Sequence, residues 1–411
     1  MISIKKETTK QNLWIMWFAN FFIAGSITMV LPFLSLYIET LGNFSDKYVQ
    51  NWSGITFGVT FVAAFIFSPI WGKLGDRYGR KHILIISACG LGLSVFLMGF
   101  VTSVWQLFTL RLFMGVFTGF ISISQALIST QTPKHMAGRV LGTLQTGTVT
   151  GTLMGPLLGG VMADALGYAT SFKWLSVILF ITAILVFIGI HEYTLPAESH
   201  EKTAYSSKEV LFHIVKNPML FMVMLVSMFI QIAHFSIQPI LSLYVAELHG
   251  PVNVALFSGI AFSAAGLGNL LMTKKWGDIG DKFGYIKVLI ALLFMAALFY
   301  FPGAFVTNIW QLVILRFLLG AAIGGIIPVR IAYIRQEAPV AMQGEVLGYN
   351  TSIRFFGNII GPVMGGALAG YFGFASVFFV TSILLLMCSI ALLGARLRQS
   401  KSACDHSMVK H

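Results

Sequence analysis

The stretch WQLFTLRLFMGVFTG at 105–119 returns as WQLVILRFLLGAAIG at 310–324. Trp105, Gln106, Leu107, Leu110, Arg111, Gly115 and Gly119 each recur 205 positions later. The same offset joins Trp71, Gly72, Gly75, Asp76 and Gly79 to Trp276, Gly277, Gly280, Asp281 and Gly284. GTLMGPLLGG (151–160) has a counterpart in GNIIGPVMGG (357–366), and LSLYIETLG (34–42) in LSLYVAELHG (241–250). Matches that keep one order and nearly one spacing mark an internal duplication. Whatever one half builds, the other builds again.

What each half builds follows from composition. The chain has 411 residues, 56% of them hydrophobic and 10% charged, with a mean hydropathy of +0.82. A water-soluble domain so poor in charge would expose large apolar patches, so lipid is the expected solvent for most of the surface. A helix needs about 20 apolar residues to cross the hydrocarbon core. Such runs occupy 13–40, 51–71, 83–101, 105–131, 140–165, 172–190, 219–246, 254–273, 288–303, 309–334, 346–370 and 375–395. The expected fold is therefore an all-α membrane protein of twelve transmembrane helices in two pseudo-symmetric six-helix bundles. The first run follows Lys5, Lys6 and Lys10 but is too long for a signal peptide and lacks a small-residue cleavage site, so it reads as a retained helix. The organisation is an N-terminal bundle (1–190), a polar cytoplasmic linker (191–218), a C-terminal bundle (219–396) and a cytoplasmic tail (397–411).

The net charge of +12 is distributed as a membrane protein distributes it, not as a nucleic-acid binder does. With both termini inside, 21 of the 27 Lys and Arg fall in cytoplasmic segments and only Lys47 and Lys173 outside, as the positive-inside rule requires. The remaining four, Arg111, Arg316, Arg330 and Arg354, lie within spans. Cys89, Cys388 and Cys404 imply no disulfide framework. The tail CDHSMVKH reads as a disordered terminus rather than a metal site. No metal or cofactor is expected.

Charge concentrates in GKLGDRYGRKH at 72–82, between apolar flanks. Gly72, Gly75 and Gly79 permit a tight reversal, and Asp76 is expected near the N-terminus of span three, where the helix dipole favours a carboxylate. Basic residues alone would satisfy the positive-inside rule. The three glycines with Asp76, Arg77 and Arg80, and their echo around Asp281, read instead as a latch made in one conformation and broken in the other. Two equivalent bundles joined by a slack tether suit a carrier that rocks about a central site.

GKLGDRYGRK resembles the loop 2–3 signature of the major facilitator superfamily, RLFMGVFTG its helix-four arginine motif, and GTLMGPLLGG its antiporter helix-five motif. Within that superfamily NWSGITF, RFLLGAA and YNTSIRFFGNIIGPVMG bring the chain nearest the twelve-helix drug:proton antiporters of the MdtG-like multidrug-efflux branch. The resemblance implies a monomeric secondary transporter of the bacterial inner membrane, driven by the proton gradient and moving small lipophilic or cationic compounds outward. It makes Arg111 a proton-coupling candidate and assigns Gly147, Gly151, Gly155, Pro156 and Gly159 to an outer closure. By spacing alone, those glycines also form a close-packing groove.

Polar stripes at helical spacing mark the faces expected to line a cavity. Span seven carries Ser227, Gln231, His234 and Gln238; span eleven Asn350, Arg354 and Asn358; span four Arg111, Gly115, Thr118, Ser122 and Gln125. Depth adds the aromatic candidates Phe33, Tyr37, Phe57 and Phe61. The acids nearest membrane depth are Glu39, Asp164 and Glu247, all toward the outer ends. Where related exporters place an acid around span ten, this chain reads AAIGGIIPVR. Proton coupling is therefore expected from Glu39, then Asp76 with Arg111, then His234. An enzyme is not expected, since HExxH, GxSxG and P-loop motifs are missing. The alternative function is a dedicated carrier of an anionic metabolite such as a siderophore, suggested by Arg330 and Arg354 without a central acid.

Overall fold

The computed structural model describes residues 2–132, 136–192, 207–339 and 342–408. These form helices with no strand among them, and twelve stretches are long and apolar enough to cross a membrane. The first crossing is α1 (Ile2–Met29); after a turn at Pro32 the chain resumes as the short α2 (Leu34–Thr40). There follow α3 (Asp46–Tyr78), α4 (Arg80–Met98), α5 (Val104–Val116) with α6 (Phe120–Thr130) as one interrupted crossing, α7 (Ala137–Leu166) and α8 (Tyr168–Gly189). The second half comprises α9 (Ser207–Lys216), α10 (Pro218–Ser236) with α11 (Leu241–His249), α12 (Val254–Phe283), α13 (Tyr285–Tyr300), α14 (Ile309–Glu337), α15 (Gln343–Phe372) and α16 (Phe374–Met408).

The duplication extends to backbone angles. Gly79 has φ +94° and its repeat-mate Gly284 +91°; Gly167 has +81° and Gly373 +77°. Each lies at a helix-to-helix reversal in a region that L side chains avoid. Capping repeats as well: Ser103 and Asn308 accept from the amides of Gln106 and Gln311, whose own Oε1 atoms accept from Thr102 N and Thr307 N. The indole N–H groups of Trp71 and Trp276 reach the carbonyls of Val116 and Ala321.

Small residues set how closely the helices pack. A Cβ added to Gly147, Gly151 or Gly159 of α7 would strike the carbonyls of Trp17, Phe21 and Met29 on α1; one at Gly155 would meet Thr28 and Gly25. The same seam recurs in the second half, where Gly357, Gly361 and Gly365 of α15 lie against Met228, Ile232 and Ser236 of α10. Gly115 meets Thr60 as Gly320 meets Ala265. Close backbone approach is what stabilises helix pairs when lipid offers no hydrophobic incentive to associate.

The chain divides into two compact units, with one boundary inside the polar seam, between Ser199 and His200. The first comprises Met1–Ser199 with Gln238–Ser263, the second His200–Ile237 with Ala264–His411. Residues Gln238–Ser263, expected in the second bundle, join the first because Gly160 meets Ala255 and Gly259 meets Pro156, backbone to backbone. Ser263 Oγ also donates to Leu153 O (2.8 Å), and Ser242 Oγ to Leu31 O (3.4 Å).

Three other expectations change. Within the linker, 193–206 lies outside the described residues, but Ser207–Lys216 is a helix with Val210 and Ile214 buried, not slack chain. Asn217 then caps α10 by accepting from Leu220 N. Residues 397–408 of the tail continue α16 rather than fraying, and 409–411 lie outside the described residues. Finally, the segment 72–78 is not a loop: α3 runs through it to Tyr78, and the reversal is made by Gly79 alone.

Candidate functional site

In the first unit the deepest charge is Arg111, 4% exposed on α5. Its Nη1 lies 3.5 Å from the Met114 sulfur, its guanidinium 5.6 Å from the Phe57 ring centroid, and its Nε has no hydrogen-bond partner among the described residues. Phe57 leans on Phe61 at 6.2 Å. Asn20 of α1 is fully buried with both amide atoms unpartnered among the described residues. Buried hydroxyls of Ser53, Thr56, Thr60 and Ser124 are likewise unpartnered among the described residues. Such groups are costly in an apolar interior and mark a functional face by default inside a membrane. Asn20 belongs to no polar stripe, because the residues three, four and seven positions to either side of it are apolar. Its signal was simply an amide amid the apolar run beginning at Leu13.

Other candidates of this unit are committed elsewhere. Phe33 is fully buried, stacked on Tyr168 (5.8 Å) and edge-on to Phe172 (5.3 Å). Tyr37 joins the same cluster and donates from its hydroxyl to Met98 O (3.0 Å). Both serve packing of α1–α2 against α8. Gln125 Nε2 donates to Gln145 Oε1 (2.9 Å), bridging α6 and α7. Gln238 belongs to this unit, and Gln231 and His234 of α10 to the second. Glu39 is exposed on α2.

In the second unit, Arg330 of α14 is 1% exposed, with Nε and Nη2 unpartnered among the described residues. Arg354 of α15 is half-buried, with Nε unpartnered. Arg316, also on α14, is 2% exposed. One helical turn to either side of Arg354, Asn350 and Asn358 each hold an unpartnered buried Oδ1. Gln231, 8% exposed, abuts Gly357 where α10 packs on α15. Sequence spacing joins Asn350, Arg354 and Asn358 on one face of α15, while Arg330 lies on α14.

At the helix ends, α4 is capped by a residue distant in sequence, Glu192. Glu192 Oε1 accepts from Arg80 N (2.8 Å) and its Oε2 from Lys81 N (3.0 Å). Asp76, expected near the N-terminus of this helix, lies within α3. Arg80 Nη1 donates to Ala126 O (2.9 Å) and Thr130 Oγ1 (2.7 Å), fastening this end to α6. Arg77 is exposed over the Tyr78 ring, Gly72 is exposed, and Gly75 is packed near Arg80. In the second half Asp281 accepts from Tyr285. Glu192→Ala should accelerate deuterium exchange at the Arg80 and Lys81 amides roughly two- to fivefold, the loss expected of one carboxylate at a helix N-terminus; unchanged exchange would show the cap to be dispensable. At the opposite end of the bundle Asp164 plays the same part for α12, accepting from Ala255 N (3.3 Å) and Leu256 N (2.7 Å).

The family model of the Major Facilitator Superfamily matches residues 16–275 and 223–404. The chain belongs to the major facilitator superfamily. It is 53% identical over 369 residues to the MFS-type transporter YuxJ of Bacillus subtilis, covering 90% of this chain and 94% of that one. It is 40% identical over 380 residues to the multidrug resistance protein MdtG of Dickeya zeae, covering 92% of each chain. The Salmonella typhimurium MdtG is 41% identical over 383 residues, covering 93% and 94%. Among solved structures, the nucleoside transporter NupG superposes with a TM-score of 0.78 at 15% identity, covering 94% and 99%. A bacterial homologue of the lysosomal transporter Spinster gives 0.77 at 14%, covering 95% and 97%. This superfamily member is thus a multi-pass membrane transporter, not an enzyme.

Proposed function

We propose that this transporter exports lipophilic or cationic amphiphiles in exchange for protons, by alternating access, as a monomer in the bacterial inner membrane with both termini cytoplasmic. The observation that carries the reading is the 40–41% identity to multidrug resistance proteins over 92–93% of the chain. Arg111, buried beside Phe57 without a carboxylate among its described contacts, supports it as a charge kept for function. Glu39, Asp76 and His234 are the further proton-coupling candidates. The helix-end fastenings around Arg80 and Asp281 supply the latch. In proteoliposomes carrying an internal pH indicator, adding ethidium should drive proton movement opposite to the dye, and a protonophore should abolish gradient-dependent dye accumulation. Dye transport with no associated proton flux would sink the coupling. A second reading, a carrier of an anionic metabolite such as a siderophore, is favoured by Arg330 and Arg354.

A further inference from the structure

We propose that the outer face of α9, which carries Leu211, Phe212 and Val215, docks into the headgroup–acyl boundary of the adjoining bilayer leaflet, so that the linker helix is a membrane-surface anchor. The partner is the phospholipid surface itself. The inference goes beyond the transport reading and does not depend on what is carried.

The helix has two apolar faces and only one of them is covered. Val210 and Ile214 are buried, where α9 packs against α10 and α15. Leu211, Phe212 and Val215 are 50%, 65% and 61% exposed, and they share an arc of about 100° by helical geometry. None of the three lies in a membrane-crossing stretch. Large apolar side chains clustered in this way mark a contact surface. The length of α9 points the same way. Ten residues fall short of what a helix needs to persist alone in water, and two buried side chains support it from one side only.

Continuity with the membrane selects the occupant. Asn217 alone separates α9 from α10, whose crossing begins at Pro218, so the last turn of α9 lies at the entry of that crossing. The junction is held there. Asn217 Oδ1 accepts from Leu220 N (3.1 Å), and its Nδ2 donates to Glu337 Oε2 (3.1 Å) at the end of α14. Phe221, in the first turn of α10, is exposed as well, so exposed apolar side chains stand on both sides of the junction. The charges suit a lipid surface. Lys208 opens the outer face and Lys216 closes it, with Lys216 Nζ 5.7 Å from the Phe212 ring centroid. Lysines in such places lay their stems on apolar surface and hold their ammonium groups at the headgroups. Glu209, the one acid of the helix, lies nearly opposite Leu211 by the same helical geometry. An amphipathic helix of this kind lies in the interface plane with its apolar face sunk about 5–10 Å.

The test uses the full-length protein in phospholipid nanodiscs and needs no transport, so failure of the transport reading has no bearing on it. The photoreactive residue p-benzoylphenylalanine is placed singly at Phe212, Val215, Glu209 or Phe294, and adducts are read by mass spectrometry. Phe294, exposed on the crossing helix α13, sets the yield of a bilayer-facing position. Lipid adducts at Phe212 and Val215 should approach that yield, and those at Glu209 should fall severalfold below it. In a second measurement, Phe212→Asp combined with Val215→Asp should speed deuterium exchange of the α9 amides severalfold, since the helix loses one of its two supports, while the middle of α10 keeps its protection. If the aspartate pair does not fold, crosslinking decides alone. Adducts to other stretches of the chain instead of lipid, a lipid yield at Phe212 no higher than at Glu209, or unaltered α9 exchange in the folded aspartate pair would overturn the assignment.

Discussion

Gly159→Val should leave little folded transporter in the membrane, whereas Gly142→Ala on the same helix should raise stability. Every atom that a Cβ at Gly159 would meet first belongs to the Met29 backbone, its carbonyl oxygen above all. A flexible side chain could move aside; a helix backbone cannot. The nearby glycines Gly147, Gly151 and Gly155 hold α1 equally close along the seam, so no local shift relieves the clash. Overpacking in ordinary cores costs about 1–3 kcal/mol, and valine at a backbone contact belongs at or beyond the upper end. Gly142 lies on α7 with nothing within 4 Å of its added Cβ. There alanine gains about 0.5–1 kcal/mol from helix propensity and reduced unfolded-state freedom. Melting of the purified variants, with transport per folded molecule, checks the pair. Wild-type stability and activity in Gly159→Val would mean that α1 and α7 are not fixed against each other.

Arg111→Met should keep or raise the melting temperature while reducing transport more than about tenfold. An arginine at the centre of a membrane helix costs roughly 2.5–3.5 kcal/mol on insertion scales. What Arg111 receives in return among its described contacts is a sulfur acceptor at 3.5 Å and a ring centroid at 5.6 Å, the latter worth about 0.5–2 kcal/mol. Stability therefore does not account for the residue. Methionine conserves the volume of the side chain stem and suits the apolar surroundings. The decisive quantity is the split between the two measurements. A collapsed melting temperature with intact transport per folded molecule would make Arg111 structural and remove it from proton coupling.

The sequence made the duplication, the twelve crossings and the glycine seams legible because each depends on local pattern. Hydropathy reports lipid exposure directly, and a four-residue glycine spacing reports a close neighbour without naming it. Contacts brought together from distant positions were not legible. Asp76 was expected near the N-terminus of α4 because it precedes that helix in sequence. The carboxylate that caps it, Glu192, arrives 112 residues after Arg80. The burial of Arg330, 1% exposed on α14, was likewise not legible, because hydropathy does not say which neighbour covers a side chain. Phe33 and Tyr37 illustrate a different blindness, since depth along a helix does not say whether a ring faces a cavity or a neighbouring helix.

The bonds from Asp164 to the start of α12 also bear on how the polypeptide would behave if it were cut. Because Gln238–Ser263 is held by the first unit, severing the chain at the polar seam would not sever the protein into its two repeats. Co-expressed polypeptides ending and beginning at that seam should copurify, the later one threaded into the earlier through the glycine contacts of α7. The covalent tether would then be a convenience for synthesis, and the lasting bond between the halves would be the helix they share.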